Sequence, residues 1–421
     1  MASQDPSGAA TDAPPHEAVT LSAIRDARQR LGDAVGGTPC RLAHSADRLG
    51  VDRVHLKFEN LHHTGSFKER GALNKLLSLG EDDRRRGVIT ASAGNHAQAL
   101  AYHARRLDIR ATVVMPEATP LIKVSSTRRH GAEVVLHGAT FDDAVEEALR
   151  RRDEQGQVLV HAFNDPAVVT GQGTLGLELL EQVPDLATVV VPIGGGGVIS
   201  GTAVALKEQR PGVRVIGVEA VAAPSARASR DAGRIVRIPT QETLADGIAI
   251  KRVGEVTFPL LERYVDDIVL VDDEEIAAAI LLLLEREKTL VEGAGAVGIA
   301  ALLAGRIAGT ADGPVAVVLC GGNIDVNILS RIIDRGLVED GRLARLVVTV
   351  RDRPGMLARL TAIVARLGAN VLESVHSRAF ADISVGEVAI TLTLETRGRE
   401  HVEELVAALE TEGHRVDEER G

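Results

Sequence analysis

Short apolar runs rich in Val and Ile alternate with amphipathic segments from about residue 54 onwards. The runs predict buried strands at 88–90, 111–115, 132–136, 158–160, 188–193, 213–219 and 315–320. Segments with helical spacing lie between several of them, near 95–106, 120–130 and 140–154. Continuous Val and Ile runs separated by helices are typical of parallel strands covered on both faces. We therefore predict an α/β fold whose ligands bind where strands end and the next helices begin.

The pattern changes at the polar, Gly-containing stretch 336–345. A strand at 346–350 is followed by a helix with apolar residues at helical spacing: Leu357, Leu360, Val364 and Leu367. Further elements are predicted near 370–380, 386–395, 399–412 and 414–416. The order βαββαβ is typical of a small ferredoxin-like domain. We divide the chain into a flexible Pro-, Ala- and Ser-rich tail over 1–18, a large domain over 19–341 and a small domain over 342–417.

Composition narrows the classes of partner. The net charge is −11, aromatic residues make up 2%, and no Lys/Arg block is dense enough for a nucleic-acid surface. No apolar run is long enough to cross a bilayer, and the N-terminus lacks the pattern of a secretory signal. Cys40 and Cys320 fit no zinc or redox spacing, which agrees with a reducing compartment. We expect a cytoplasmic protein that binds a small molecule and neither nucleic acid nor a membrane.

The first candidate motif is the segment 64–71, TGSFKERG. Ser66 and Glu69 have the spacing of a capping box that opens a helix running to about Leu79, which would make Lys68 a solvated first-turn residue. A cation is disfavoured at this positive end of a helix, however. A partly desolvated Lys68 would have a lowered pKa and could supply the neutral amine that a Schiff base needs. Both interpretations stay open at this point.

The second motif is a run of four glycines that directly follows the strand 188–193 and precedes a helix from Val198: Gly194, Gly195, Gly196 and Gly197. Glycines let the backbone approach an anion closely, and the helix N-terminus adds its field. A Walker A loop does not fit, because Thr202 stands where Lys is needed. A dinucleotide fingerprint does not fit either, because Ile199 stands where Gly or Ala is needed. We favour a phosphate site over a flexible turn.

The third motif, SAGNH at 92–96, also lies between a predicted strand and a predicted helix. Its N–H groups, with the Ser92 hydroxyl and the Asn95 amide, could hold a carboxylate. An ordinary helix cap by Ser92 or Asn95 is the alternative. The fourth motif, CGGN at 320–323, ends a strand, and a buried Cys before such a turn is usually packing.

Together these motifs resemble those of the threonine ammonia-lyases (threonine dehydratases), pyridoxal-phosphate enzymes of the β-elimination branch related to tryptophan synthase. The similar blocks follow in the family's order: KFENLHHTGSFKERGA, SAGNHAQALA, MPEATPLIKV, GQGTLGLEL, PIGGGGVISG, ADGIA, VEGAGAVGIAALL and CGGNID. Several blocks in one order are far more specific than any one of them. The resemblance implies pyridoxal 5'-phosphate as cofactor and a two-subdomain parallel-sheet catalytic domain of the tryptophan synthase β type.

The resemblance also implies a role for each motif. Lys68 would hold the cofactor through a Schiff base, and Phe67 would lie against its ring. Asn95 would bond the ring hydroxyl oxygen, and Cys320 would face the ring nitrogen. The cofactor phosphate would lie against Gly194, Gly195, Gly196, Gly197 and the Val198 N–H. The substrate carboxylate would be held by Ser92, Gly94, Asn95 and His96.

The implied reaction is dehydration and deamination of L-threonine to 2-oxobutanoate and ammonia, with L-serine as a secondary substrate. The freed Lys68 amine would remove the α-proton, and a neutral Cys320 thiol would disfavour a long-lived carbanion. In serine racemases of this family a Ser at the position of Ala93 supplies a proton, which Ala cannot do. A serine-preferring dehydratase or racemase, and an amino-acid sensor with a decayed cofactor site, stay open as alternatives. We expect no metal, because the residues after Glu219 lack the second acidic group of the racemase pattern.

The C-terminal domain resembles an ACT domain, a regulatory amino-acid-binding fold. The resemblance rests on the segment 351–357, RDRPGML, and on the segment 368–370, GAN. It implies an amino-acid or nucleotide effector near Asp352, Arg353, Pro354, Gly355 and Asn370. A domain that only dimerises and binds no effector stays open. We expect a homo-oligomer, either a dimer or a tetramer.

Overall fold

The computed structural model describes residues 14–307, 313–378, 384 and 386–419, which divide into two compact units after Ile324. The strands are β1 Cys40–Leu42, β2 Val54–Lys57, β3 Val88–Ala91, β4 Ala111–Met115, β5 Glu133–Leu136, β6 Val158–Leu159, β7 Thr188–Pro192, β8 Arg214–Ala220, β9 Asp267–Val271, β10 Val315–Val318, β11 Leu343–Arg351, β12 Asn370–Ser377, β13 Glu387–Glu395 and β14 Arg415–Glu419. The helices are α1 Leu21–Leu31, α2 Lys68–Leu77, α3 Glu81–Arg86, α4 Asn95–Arg106, α5 Leu121–Arg129, α6 Phe141–Gln155, α7 Pro166–Gln182, α8 Gly197–Lys207, α9 Ser225–Asp231, α10 Thr257–Tyr264, α11 Asp273–Leu282, α12 Gly293–Leu303, α13 Val326–Glu339, α14 Met356–Leu367 and α15 Arg399–Thr411.

The first unit contains two sheets. The larger has the strand order β1-β2-β10-β7-β8-β9 and is parallel except for the edge strand β1. The smaller has the order β5-β4-β3-β6 and is parallel throughout. Strands β4 and β7 are buried along their whole length, as continuous Val and Ile runs predict. The predicted α/β fold with two parallel-sheet subdomains is confirmed.

Helix α7 packs backbone against backbone with the two helices that begin at candidate motifs, α2 and α8. A Cβ added at Gly171 of α7 would lie 2.6 Å from the Arg70 carbonyl oxygen of α2. A Cβ added at Gly201 of α8 would lie 2.3 Å from the Val169 carbonyl oxygen of α7. Because α2 begins at Lys68 and α8 begins at Gly197, α7 sets the position of one motif relative to the other.

The second unit contains the antiparallel sheet β12-β13-β11-β14 and the helices α14 and α15. Its core contains apolar residues from both layers, among them Leu346, Val348, Leu360, Val364, Ile390, Leu392 and Leu405. The order βαββαβ agrees with the ferredoxin-like prediction, and helix α13 is grouped with this unit. The boundary at residues 341 and 342 stays a prediction, and 1–13 of the predicted tail lie outside the described residues. Across the described ranges no helix is long and apolar enough to span a bilayer.

Candidate active site

Lys68 is the first residue of α2, and its amine contacts the segment that follows β6. Its Nζ donates a hydrogen bond to the Ala162 carbonyl oxygen at 3.1 Å and lies 4.9 Å from the centre of the Phe67 ring. Burial lowers the pKa of Lys68 from 10.5 to about 8, although the acidic groups of Cys320 and Glu292 act in the opposite direction. A sizeable fraction of this amine is therefore neutral near pH 8, which is the nucleophilic form.

The predicted capping box between Ser66 and Glu69 is wrong. The N-cap of α2 is Phe67, no side chain caps the helix, and the helix ends at Leu77 instead of Leu79. Glu69 accepts a hydrogen bond from the Thr64 N–H and lies 3.0 Å from His103 Nε2. The buried Ser66 hydroxyl has no partner among the described residues. Glu69 does not cap the helix because its carboxylate has a buried hydrogen-bond partner in His103 of α4.

The glycine run forms a buried turn at the carboxyl end of β7 and the start of α8. Gly196 is the helix N-cap and has a φ of 89°, which favours glycine. Within the described part of the chain, five successive N–H groups donate to no acceptor: those of Gly194, Gly195, Gly196, Gly197 and Val198. Unpartnered N–H groups at a helix N-terminus fit the phosphate of the predicted cofactor.

The segment 161–164 connects Lys68 with the glycine turn. Ala162 accepts the hydrogen bond from Lys68, and the ring of the next residue, Phe163, lies against the turn. A Cβ at Gly195 would lie 2.2 Å from Phe163 Cδ2, and one at Gly197 would lie 3.1 Å from Phe163 Cβ. Glycine is therefore required here by the close approach of the ring. The amine and the turn thus border one site.

The loop 92–96 lies at the carboxyl end of β3 and leads into α4. Its helix cap is Gly94, and no side chain caps the helix, so the alternative of an ordinary cap by Ser92 or Asn95 is wrong. The Ser92 hydroxyl accepts only a long contact of 3.4 Å from the Gly94 N–H. Backbone N–H groups of the first turn donate to no acceptor within the described ranges: those of Asn95, His96 and Ala97. These groups can bind a carboxylate.

His96 belongs to the same loop but its ring lies away from solvent. The ring is buried, and Nε2 lies 3.0 Å from the Val160 carbonyl oxygen. Burial and the charge of Lys68 lower the pKa of His96 to about 3. The ring is therefore neutral at neutral pH, and only the backbone N–H of His96 fits the predicted carboxylate contact.

The Asn95 side chain contacts Glu292, which directly precedes α12, and Asn323, which follows β10. Its Nδ2 donates to Glu292 Oε1 at 2.7 Å, and its Oδ1 accepts from Asn323 Nδ2 at 2.7 Å. Burial, followed by the charge of Asp246, raises the pKa of Glu292 to about 7. The sequence analysis did not single out Glu292. A carboxylate directly before the apolar helix GAGAVGIAALL was the available signal.

Cys320 follows β10 and contacts the loop that carries Lys68. Its carbonyl oxygen accepts the Phe67 N–H at 3.1 Å, and the neighbouring Gly321 pairs with Ser66 in an antiparallel bridge. The thiol is buried and unbonded to another cysteine. Burial raises the pKa of the Cys320 thiol well above its usual value, so the group is neutral.

A buried network of ion pairs around Arg70 of α2 was missed by the sequence analysis. The Arg70 guanidinium bonds Glu59 at 2.7 and 2.8 Å and Glu178 at 2.6 and 2.9 Å. Lys57 Nζ donates to Glu178 at 2.6 Å. Arg70 holds the pKa of Glu59 well below its usual value despite burial. Two cations neutralise two carboxylates next to the helix turn that carries Lys68.

Glu219 does not face a cation site among the described residues. Its carboxylate accepts the N–H groups of Ala226 at 2.8 Å and Arg227 at 2.9 Å. No group of three or more His, Cys, Asp or Glu side chains in the described ranges is placed to hold a metal ion. The expected absence of a metal stays a prediction.

The residues predicted to bind an effector lie at the surface of the second unit. Asp352 bonds Arg378 at 2.8 and 3.2 Å, and Asn370 donates to Glu395 at 3.3 Å. Gly355 has a φ of 89° and is the N-cap of α14, while Arg353 and Pro354 are exposed in the same turn. The turn and the start of β12 are therefore accessible in the single chain.

Comparisons with known proteins show the family of this chain. Residues 31–321 match the family model described as pyridoxal-phosphate dependent enzyme, and residues 344–411 match the ACT domain model. The L-threonine ammonia-lyase of Thermotoga maritima is 49% identical over 94% of this chain and 99% of its own length. Among solved structures, the processed threonine deaminase isoform 2 of Solanum lycopersicum has a TM-score of 0.71 at 36% identity, covering 78% of this chain and 90% of its own. Maize serine racemase has a TM-score of 0.72 at 34% identity, covering 76% and 99%.

The chain therefore belongs to the pyridoxal-phosphate-dependent enzymes and carries a C-terminal ACT domain. The resemblance to threonine ammonia-lyases, the lyase class and the pyridoxal-phosphate cofactor are confirmed. The unpartnered N–H groups of the glycine turn and the buried amine of Lys68 fit this cofactor.

Proposed function

We propose that this enzyme eliminates water from L-threonine and that hydrolysis of the resulting enamine releases ammonia and gives 2-oxobutanoate, with L-serine as a secondary substrate. The observation that carries the proposal is the partly buried Lys68 amine, with a pKa lowered to about 8, beside a turn of unpartnered N–H groups. The relative from Thermotoga maritima, named L-threonine ammonia-lyase, supports the choice of substrate because it matches both domains over 94% of this chain.

Lys68 would act in two stages. Pyridoxal phosphate, when bound, supplies an aldehyde for an amine and an electron-withdrawing ring that acidifies the α-C–H bond of an amino acid. The neutral Lys68 amine is the nucleophile for that aldehyde. Once the substrate amine has displaced it, the same amine can accept the α-proton as a general base. The lowered pKa serves both stages, since each requires an unprotonated amine.

The two helix-terminal turns would bind the two anions. The N–H groups from Gly194 to Val198 would hold the cofactor phosphate, and those of Gly94, Asn95 and His96, with the Ser92 hydroxyl, would hold the substrate carboxylate. Each turn begins a helix, so the helix field favours negative charge at both. Two anions held in this way would orient the substrate relative to the cofactor.

Cys320 would contact the ring nitrogen, Asn95 the ring hydroxyl oxygen, and Phe67 the ring face. A neutral thiol cannot stabilise positive charge on the ring nitrogen as a carboxylate does. The bound ring would then be a weaker electron sink, which would favour prompt loss of the β-hydroxyl group as water. The raised pKa of the Cys320 thiol supports a neutral contact.

Racemisation is the second candidate activity, because maize serine racemase is among the similar structures. The methyl group of Ala93 packs against the core of the small sheet and offers no proton. Ala93 therefore supports elimination over racemisation. A sensor with a decayed site is disfavoured, because the lysine, the glycine turn and the asparagine loop are all intact.

The remaining proposals concern regulation and assembly. We propose that the ACT domain, from about residue 342, binds an amino acid or nucleotide near the turn 352–355 and Asn370. Asp352, which bonds Arg378, would couple this turn to β12. We also propose a homo-oligomeric, cytoplasmic enzyme.

The deciding experiment combines kinetics with chemical trapping. Purified protein loaded with pyridoxal phosphate is assayed for 2-oxo acid and ammonia from L-threonine and from L-serine, with and without candidate effectors. We expect a higher kcat/KM for L-threonine. Borohydride trapping followed by mass spectrometry should locate the cofactor on Lys68. An adduct on another lysine, or a preference for L-serine, would contradict the respective part of the proposal.

A further inference from the structure

Glu292 is a buried carboxylate whose position is set by both its backbone and its side chain. It is the N-cap residue of α12, and its N–H donates to the Gly321 carbonyl oxygen at 3.0 Å. A Cβ at Gly321 would lie 2.3 Å from Glu292 Oε1, so glycine there leaves the space that the carboxylate occupies. The carboxylate therefore lies beside the strand end that carries Cys320.

The carboxylate and Asn323 together determine which way the Asn95 amide faces. An ionised carboxylate only accepts hydrogen bonds, so the ionised form of Glu292 requires Asn95 to present its Nδ2 to Oε1, at 2.7 Å. Asn323 Nδ2 donates to Asn95 Oδ1 at 2.7 Å and to the Thr64 carbonyl oxygen at 2.8 Å. A flipped Asn95 would place two acceptors together on one side and two donors on the other. One N–H of Asn95 Nδ2 donates to Glu292, and no described residue accepts the second.

These contacts cross between the two sheets of the first unit. Asn95 begins the helix after β3 of the small sheet, whereas Glu292 is the N-cap of α12 and Asn323 follows β10 of the large sheet. Asn323 also contacts the loop of Lys68 through Thr64, and its side chain fills the space beside Gly65. Three of the predicted motifs thus meet in one set of hydrogen bonds.

We propose that Glu292 is a positioning residue, which holds the Asn95 amide so that its remaining N–H donates to the ring hydroxyl oxygen of the cofactor. This rests on the proposed contact between Asn95 and the ring. Glu292 would contact Asn95 and not the reacting atoms. Burial raises the pKa of Glu292 to about 7, whereas the hydrogen bond from Asn95 acts in the opposite direction because it stabilises the carboxylate.

The test compares holoenzyme variants by the visible absorbance band of the bound cofactor and by its dissociation constant. Glu292→Ala removes the acceptor and should shift the band and weaken cofactor binding about tenfold. Glu292→Gln keeps an acceptor of the same length and should stay within about threefold of the wild type. Glu287→Ala is the matched control, because Glu287 is equally buried but bonds Ser45, and it should leave the band unchanged.

A double variant with Asn95→Ala and a variant of Asn323 distinguish the loss of the Asn95 interaction from a loss of folded protein. Glu292→Ala in an Asn95→Ala background should cost no further cofactor affinity, since both changes remove one interaction. Asn323→Ala, which frees the other side of the amide, should shift the band in the same direction as Glu292→Ala.

The outcomes separate the positioning role from the proposed function. An unchanged band in Glu292→Ala, additive losses in the double variant, or a Gln variant as impaired as the Ala variant would overturn the positioning role. A wild-type protein that forms no visible band with pyridoxal phosphate would instead overturn the proposed function.

Discussion

Lys68 Nζ donates a hydrogen bond to the carbonyl oxygen of Ala162, 94 residues later in the chain, at 3.1 Å. The next residue, Phe163, covers the glycine turn, so one short segment links the amine to the turn. The nucleophile and the proposed phosphate site are therefore held at a set separation by backbone contacts. Substitutions of the lysine or of the glycine turn should therefore have measurable effects on cofactor binding.

The first prediction concerns pH. The neutral form of Lys68 increases as pH rises through its pKa of about 8. The rate at which apoprotein gains the visible band of bound cofactor should therefore rise with pH, reach half of its plateau near pH 8 and level off about one pH unit higher. A rate that keeps rising toward pH 10.5 would show that the amine is not desolvated.

Lys68→Ala should form no band and release no ammonia from L-threonine, whereas Lys251→Ala, a half-exposed residue, should behave as the wild type.

The second prediction concerns the glycine turn. Gly195→Ala would place a Cβ 2.2 Å from the Phe163 ring, so the ring or the turn must move. Cofactor affinity, measured by equilibrium dialysis, should fall at least about tenfold. Gly212→Ala is the control, because no atom lies within 4 Å of its added Cβ. Phe163→Ala combined with Gly195→Ala should recover part of the loss, and no recovery would speak against the ring contact.

The third prediction concerns Ala93. Ala93→Ser adds a hydroxyl that can exchange a proton in the loop proposed to hold the substrate carboxylate. Conversion of L-serine to D-serine, followed by chiral chromatography, should rise at least about tenfold relative to ammonia release. Ala93→Val adds bulk without a proton donor and should give no such rise. An equal rise in both variants would refute the proton-donor account.

The fourth prediction concerns the buried network at Arg70. Arg70→Met leaves the carboxylates of Glu59 and Glu178 without their main partner, which costs about 3–5 kcal/mol in the free energy of unfolding. Urea denaturation followed by circular dichroism measures this loss. Arg85→Met removes a solvent-exposed pair with Asp82 and should cost at most about 1 kcal/mol. Equal losses would mean that the buried network contributes little.

The fifth prediction concerns the ACT domain. Asp352→Ala removes the contact with Arg378 at the proposed effector turn. The basal kcat for L-threonine should stay within about twofold of the wild type, since the change is on the surface of the second unit. Any inhibition or activation by an amino acid or nucleotide should weaken at least about fivefold. Glu412→Ala, exposed at the end of α15, is the control. If Asp352→Ala keeps the full effector response, the effector site lies elsewhere.

Local patterns in the sequence determined most of the elements. The strand predicted over 111–115 is β4, and the helix predicted near 95–106 is α4, because Val and Ile runs and helical spacing are read from neighbouring residues. The glycine turn was predictable for the same reason, since its strand, glycines and helix are consecutive in the chain. The order of blocks along the chain was sufficient to indicate the family and its cofactor.

Contacts between residues distant in sequence were decided by the tertiary structure alone. Glu69 has the spacing of a capping residue but pairs with His103, because packing of α2 against α4 gives it a buried partner. Glu292 reaches Asn95 across 197 positions, and no local pattern encodes that hydrogen bond. The amine of Lys68 illustrates both levels: the sequence determined its place at a helix start, but only burial by the folded chain lowers its pKa to about 8.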